Sequence, residues 1–153
     1  MGLKKELGLS KPFSSREHEA LLNLYYTSVC IKKHASEVFA DYGLTDVQFN
    51  LMMMLKHHGG DEGLSQARLS EMMMVNRANI TGLIDRLEKA GMVRRTIPED
   101  RRYNMIQLTQ KGQNMLDKAD PAYGKEVQKV MSILNDTDLK HLIRTCEKLR
   151  ANL

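Results

Sequence analysis

The stretch from Ser65 to Thr109 constrains this chain more than any other. Ser65 is placed to cap a short helix, with Leu64 and Leu69 spaced as a hydrophobic staple across its start. That pattern fades near Met74. Asn76 opens a second helix, with Val75 and Ile80 as its staple, and "RANITGLIDRLEKA" runs on to Gly91, the expected left-handed stop. Two strand-like runs follow, "VRRT" and "MIQLT", around a Pro98-Glu99-Asp100 tip. The order is two helices across a tight turn, then a hairpin.

That order is a helix-turn-helix followed by a wing. The second helix of such a unit enters the DNA major groove with its first residues toward the base edges. At 100° per residue, Ile80, Leu83, Ile84 and Leu87 form one narrow apolar stripe. Ala78, Gly82, Asp85 and Lys89 lie opposite, with Asn79, Thr81 and Arg86 on the flanks. A glycine inside a helix costs about 1 kcal/mol relative to alanine. Small residues on an outer face make sense where another surface must approach the backbone. Asn79 suits a bidentate contact to adenine, and Arg77 and Arg86 suit guanine or phosphate. An ordinary amphipathic helix with a glycine defect fits this helix taken alone.

The hairpin adds a second signal. Arg94 and Arg95 sit on its incoming strand, and its loop "PEDRR" ends in Arg101 and Arg102. Arginine suits the narrow, strongly negative minor groove. Asp100, two residues before Arg102, is placed to accept a hydrogen bond that orients that guanidinium. The charge follows the same segment: residues 76–102 carry +3, against −1 over residues 1–75. A local basic surface is the footprint expected of a polyanion-binding site.

The flanks are helical. Residues 1–12 read as a flexible tail. Ser14, with Glu17 as a capping-box partner, starts a long helix with a seam at Leu21, Leu24, Ser28, Ile31, Ala35, Val38 and Tyr42. Thr45 and Gln48 make another capping box before "LMMMLKHH". Thr109 caps a helix that Pro121 is expected to kink or break. A last helix, capped near Asn135, aligns Leu139, Leu142, Ile143, Cys146 and Leu149. The repeated "MMM" reads as core filling. Cys30 and Cys146 read as small buried residues, too few for a disulfide framework. With no apolar run long enough for a membrane span and no signal-like opening, the expected location is the cytoplasm and no membrane partner is expected. No phosphate loop, HExxH or GxSxG is present, so no enzyme, metal or cofactor is expected.

The run "LSEMMMVNRANITGLIDRLEKAGMVRRTIPEDRRYNMIQLTQKG" resembles the winged helix-turn-helix core of the MarR family of bacterial transcriptional regulators. Its wing signature is Asp100-x-Arg102-x-x-x-Ile106-x-Leu108-Thr109, and the likeness extends from about Leu21 to Leu149. The resemblance implies a mainly α fold with a small β-hairpin wing. Residues 13–43 would be a dimerisation helix, and residues 44–109 the DNA-binding lobe, with the helix-turn-helix at 65–90 and the wing at 92–109. Residues 110–153 would be further dimerisation helices. It implies a homodimer joined through Leu21, Leu24, Ile31, Val38, Leu139, Leu142, Ile143 and Leu149. Asn76, Arg77, Asn79, Thr81, Gly82 and Arg86 would face the major groove of double-stranded DNA. Arg102, braced by Asp100, would enter the minor groove, and the operator would be pseudo-palindromic. Some members of that family bind small aromatic compounds, and the resemblance leaves two roles open for Tyr25, Tyr26, Phe39 and Tyr42: lining such an effector pocket, or packing in the core. The reading set against this one is a winged-helix protein-interaction module, since fold alone does not fix function.

Overall fold

The computed structural model describes residues 2–96 and 104–153. Helices α1 (Leu3–Glu6), α2 (Arg16–Ala40) and α3 (Asp46–His58) lead into strand β1 (Leu64–Ser65). Helices α4 (Gln66–Met72) and α5 (Arg77–Lys89) precede β2 (Val93–Thr96) and β3 (Met105–Leu108). Helices α6 (Gln110–Met131) and α7 (Asp136–Arg150) close the chain. The fold is mainly α with a small antiparallel sheet of order β1-β3-β2. Val93 pairs with Leu108 and Thr96 with Met105, so the wing is a hairpin in regular register.

The caps are local, and most fall where the sequence places them. Thr45, Ser65, Asn76, Thr109 and Asn135 each accept a hydrogen bond from a backbone N–H in the first turn of the helix they open. α2 is the exception. Ser15, in extended backbone, accepts from His18 N, while the Ser14 hydroxyl meets the His18 ring at 2.9 Å. The cap is therefore one residue later than expected, with His18 and not Glu17 three residues on. Residues 3–6 form a helical turn where a loose tail is expected.

Pro121 lies inside α6 without ending it. Proline removes one intrahelical bond and crowds the carbonyl four residues back. Packing on both sides carries the helix through. Leu116 and Ala119 are buried before Pro121, and Tyr123 after it packs on Phe39 and Phe49, with centroids 5.1 and 5.5 Å away. β1 is the third strand, missed because two residues carry no periodicity. Leu64 and Ser65 pair with Ile106 and Met105.

One core joins these elements. Ile80, Leu83, Ile84 and Leu87 of α5 are all buried in it, with Phe49, Leu51, Met52, Leu55, Leu69, Val93, Ile106 and Leu116. Each such side chain contributes about 1.5–3 kcal/mol on burial. Phe39 stacks on Phe49 at 4.3 Å. It is therefore a core residue. The α2 seam divides: Ala35 is buried, Val38 and Tyr42 are half-buried, and Leu21, Leu24 and Ile31 are exposed. α7 buries no residue. Cys30 is exposed and Cys146 half-buried, against the expectation of burial, because both sit on helix faces that the lobe does not cover.

Candidate nucleic-acid interface

α4 is short and α5 begins four residues after it ends, so the two helices turn sharply about Met73–Asn76. The turn is bonded within itself. The Ser70 hydroxyl donates to the Val75 carbonyl at 2.5 Å, and Val75 N donates to the Ser70 carbonyl at 3.1 Å. Met74 takes the left-handed conformation with φ 52°. Such a residue costs about 1–2 kcal/mol when it carries a side chain.

With the apolar stripe of α5 buried, its opposite face is turned outward. Asn76, Arg77, Ala78, Asn79, Thr81, Asp85, Arg86 and Lys89 are exposed. Asn76 Oδ1 accepts from Asn79 N at 2.9 Å, so its oxygen holds the helix start and its amide nitrogen remains a donor. Thr81 Oγ1 donates to the Arg77 carbonyl at 2.9 Å and accepts from Gln66 Nε2. Gln66 thereby ties α4 to the middle of α5, a role with no signature in sequence. A Cβ built on Gly82 would meet nothing within 4 Å. Nothing among the described residues requires a glycine there.

The two wing arginines part company. Side chains alternate across a strand. Arg95 Nη1 and Nη2 form ion pairs with Glu88 and Asp85 on α5, and its backbone N–H donates to Glu88 at 3.0 Å. The hydrogen bond that Arg95 donates to Asp85 raises the Arg95 pKa above its ordinary value, against partial desolvation. Arg95 is thus a brace between the wing and α5. Arg94 points the other way: Nε donates to Gln107 Oε1 at 3.0 Å, and Gln107 donates on to the Asp61 carbonyl at 2.7 Å. Asp100, Arg101 and Arg102 lie outside the described residues.

Away from this face, α2 and α6 enclose a small, mostly apolar cleft of about 120 Å³ lined by Ile31, Ala35, Tyr123 and Val127, with His34 and Glu126 at its polar edge. None of Tyr25, Tyr26, Phe39 and Tyr42 lines it. His34 Nε2 lies 2.7 Å from Glu126 Oε1, and Lys129 Nζ lies 3.1 Å from the same oxygen. The hydrogen bond with His34, then that with Lys129, holds the Glu126 pKa below the usual carboxylate value. No helix among the described residues is long and apolar enough to cross a membrane.

Residues 42–102 match the sequence profile of the MarR family. The HTH-type transcriptional repressor YetL of Bacillus subtilis is 32% identical over 121 residues, covering 78% of this chain and 72% of that protein. Two solved structures share the fold. MepR of S. aureus, in complex with DNA, superposes with a TM-score of 0.79 at 18% identity, over 90% of this chain and 99% of that one. CouR of Rhodococcus jostii, bound to p-coumaroyl-CoA, gives 0.77 at 20% identity, over 90% and 95%. The buried α5 stripe, the braced wing and the match to YetL agree: this chain belongs to the MarR family of winged helix-turn-helix transcriptional regulators.

Proposed function

We propose that the chain acts as a homodimer that binds a pseudo-palindromic DNA operator through two copies of α5 and releases or retunes it in response to a small molecule. Asn76, Arg77, Asn79, Thr81, Gly82 and Arg86 face the major groove. Arg94 meets phosphate, and Arg102, braced by Asp100, reads the minor groove. The observation that carries this reading is the outer face of α5. It joins exposed amide and guanidinium groups to a glycine that no neighbour among the described residues demands. Such a face is built for close approach by a partner with both base edges and phosphates. MepR, whose structure contains DNA, supports the same use of the fold.

Two further observations support assembly and response. Leu21, Leu142, Ile143 and Leu149 are apolar yet 64%, 42%, 57% and 49% exposed in the single chain, on the first long and the last helices. A second copy would cover both faces at once. The cleft between α2 and α6 is mostly apolar with one polar edge, the kind of lining that small-molecule sites have. CouR, with its bound p-coumaroyl-CoA, supports response to an organic effector.

The test begins with recovery of bound duplexes from a random-sequence pool by the wild-type protein. Asn79→Ala is expected to weaken the recovered site by roughly 1–3 kcal/mol and to relax the preference at one position of each half-site. Gly82→Ala is expected to raise thermal stability, by about 1 kcal/mol, while weakening DNA binding. A pool that yields no enriched sequence, or an Asn79→Ala variant with unchanged affinity and preference, defeats this assignment of α5.

A further inference from the structure

The chain stops four of its helices in the same way. A left-handed residue closes the end of each at Gly8, Gly43, Met74 and Gly91, with φ of 64°, 65°, 52° and 72°. At each, the next residue's N–H returns to a carbonyl five residues back: Leu9 to Lys4 at 3.0 Å, Leu44 to Phe39 at 3.1 Å, Val75 to Ser70 at 3.1 Å and Met92 to Leu87 at 2.9 Å. This motif favours glycine, because a Cβ crowds the backbone at positive φ. Three of the four stops obey. The one between α4 and α5 holds methionine.

Nothing among the described residues offsets that choice. Met73 and Val75, on either side, pack against the core, but Met74 does not and is 91% exposed. The chain therefore keeps a long apolar side chain in a disfavoured conformation and in water. It does so two residues before Asn76, where the outward face of α5 begins. Gly91, at the far end of the same helix, keeps the glycine.

We propose that Met74 is a DNA-contact residue, whose thioether chain packs against carbon groups of the duplex beside the start of α5. This rests on the reading of α5 as the recognition helix. An unbranched, polarizable side chain adapts to an irregular apolar surface. DNA offers two such surfaces here, the thymine methyl in the major groove and the deoxyribose at its rim.

The test sets folding against binding. Met74→Gly is expected to raise the thermal midpoint by about 2–4 °C at fixed protein concentration. It is also expected to weaken binding to the duplex selected by the wild-type protein by about fivefold or more. Met74→Asn, which tolerates the left-handed conformation but lacks the apolar tail, should bind as poorly as the glycine variant. Met74→Leu should recover most of the affinity. Replacing thymine by deoxyuridine in the duplex distinguishes the two surfaces: a loss confined to the wild-type and leucine proteins points to the methyl, and no loss points to the sugar. If the glycine and asparagine variants bind the selected duplex within about twofold of wild type, the assignment is overturned while the DNA-binding reading stands. A lowered midpoint for Met74→Gly overturns it too, because the side chain then stabilises the fold. If the wild-type protein selects no sequence, the reading of α5 fails first and this assignment with it.

Discussion

At the scale of residues, adjacent arginines carry different work. Arg95 is held by Asp85 and Glu88 on α5, whereas Arg94 is exposed and bonded only through Nε to Gln107 among the described contacts. Removing each should leave a different trace in a salt titration. Arg94→Ala should weaken binding to all sequences about equally and lower the slope of log K against log salt by about one. Arg95→Ala should weaken binding with the slope unchanged, because it unfastens the wing from α5 without removing a phosphate contact. An equal drop in slope for both variants would place Arg95 on the DNA and undo its role as a brace.

At the scale of elements, α6 is defined by what it carries through. Pro121 withholds a donor from the Asp117 carbonyl, and the helix persists because Leu116, Ala119 and Tyr123 are packed on either side. Pro121→Ala should therefore stabilise the protein, by about 1–3 kcal/mol, read as a rise in the denaturation midpoint. A loss of stability would mean that the proline shapes α6 to its neighbours. The tie between α2 and α6 has a pH signature. Glu126 is held below its usual pKa by His34 and Lys129, so its folded-state value lies under its unfolded one. Its contribution is complete above the ordinary carboxylate range and is lost as pH falls through the depressed folded value. Glu126→Gln should flatten that part of the fall in thermal midpoint between about pH 5 and about pH 3. A variant as acid-sensitive as wild type would show that the tie contributes nothing.

For the whole molecule, the decisive fact is what one chain leaves uncovered. α7 is amphipathic in sequence yet buries no residue, and the first half of α2 is equally bare of partners in the lobe. In the homodimer proposed above, a second copy would cover those faces. Sedimentation equilibrium at micromolar concentration is expected to show a dimer, and Ile143→Asp, on one of the bare faces, should shift it toward unfolded chain. A stable, folded monomer would remove the two-fold axis on which the pseudo-palindromic operator depends.

Caps, stripes and turns were legible in the sequence because their physics is short-ranged. A cap such as Thr45, Asn76 or Asn135 satisfies a donor three residues away, and the α5 stripe at Ile80, Leu83, Ile84 and Leu87 follows from helical periodicity alone. The outward residues of α5 were legible for the same reason, as the complement of that stripe. Tertiary structure alone decided matters whose partners lie far along the chain. Arg94 and Arg95 read alike in sequence; the strand turns one of them toward carboxylates seven and ten residues back on α5. The two-residue β1 exists only because β3 lies beside it, and α6 continues past Pro121 only because an aromatic cluster from α2 and α3 holds Tyr123. Local hydrogen bonding cannot encode those outcomes, since each is set by which distant groups the packed core brings within reach.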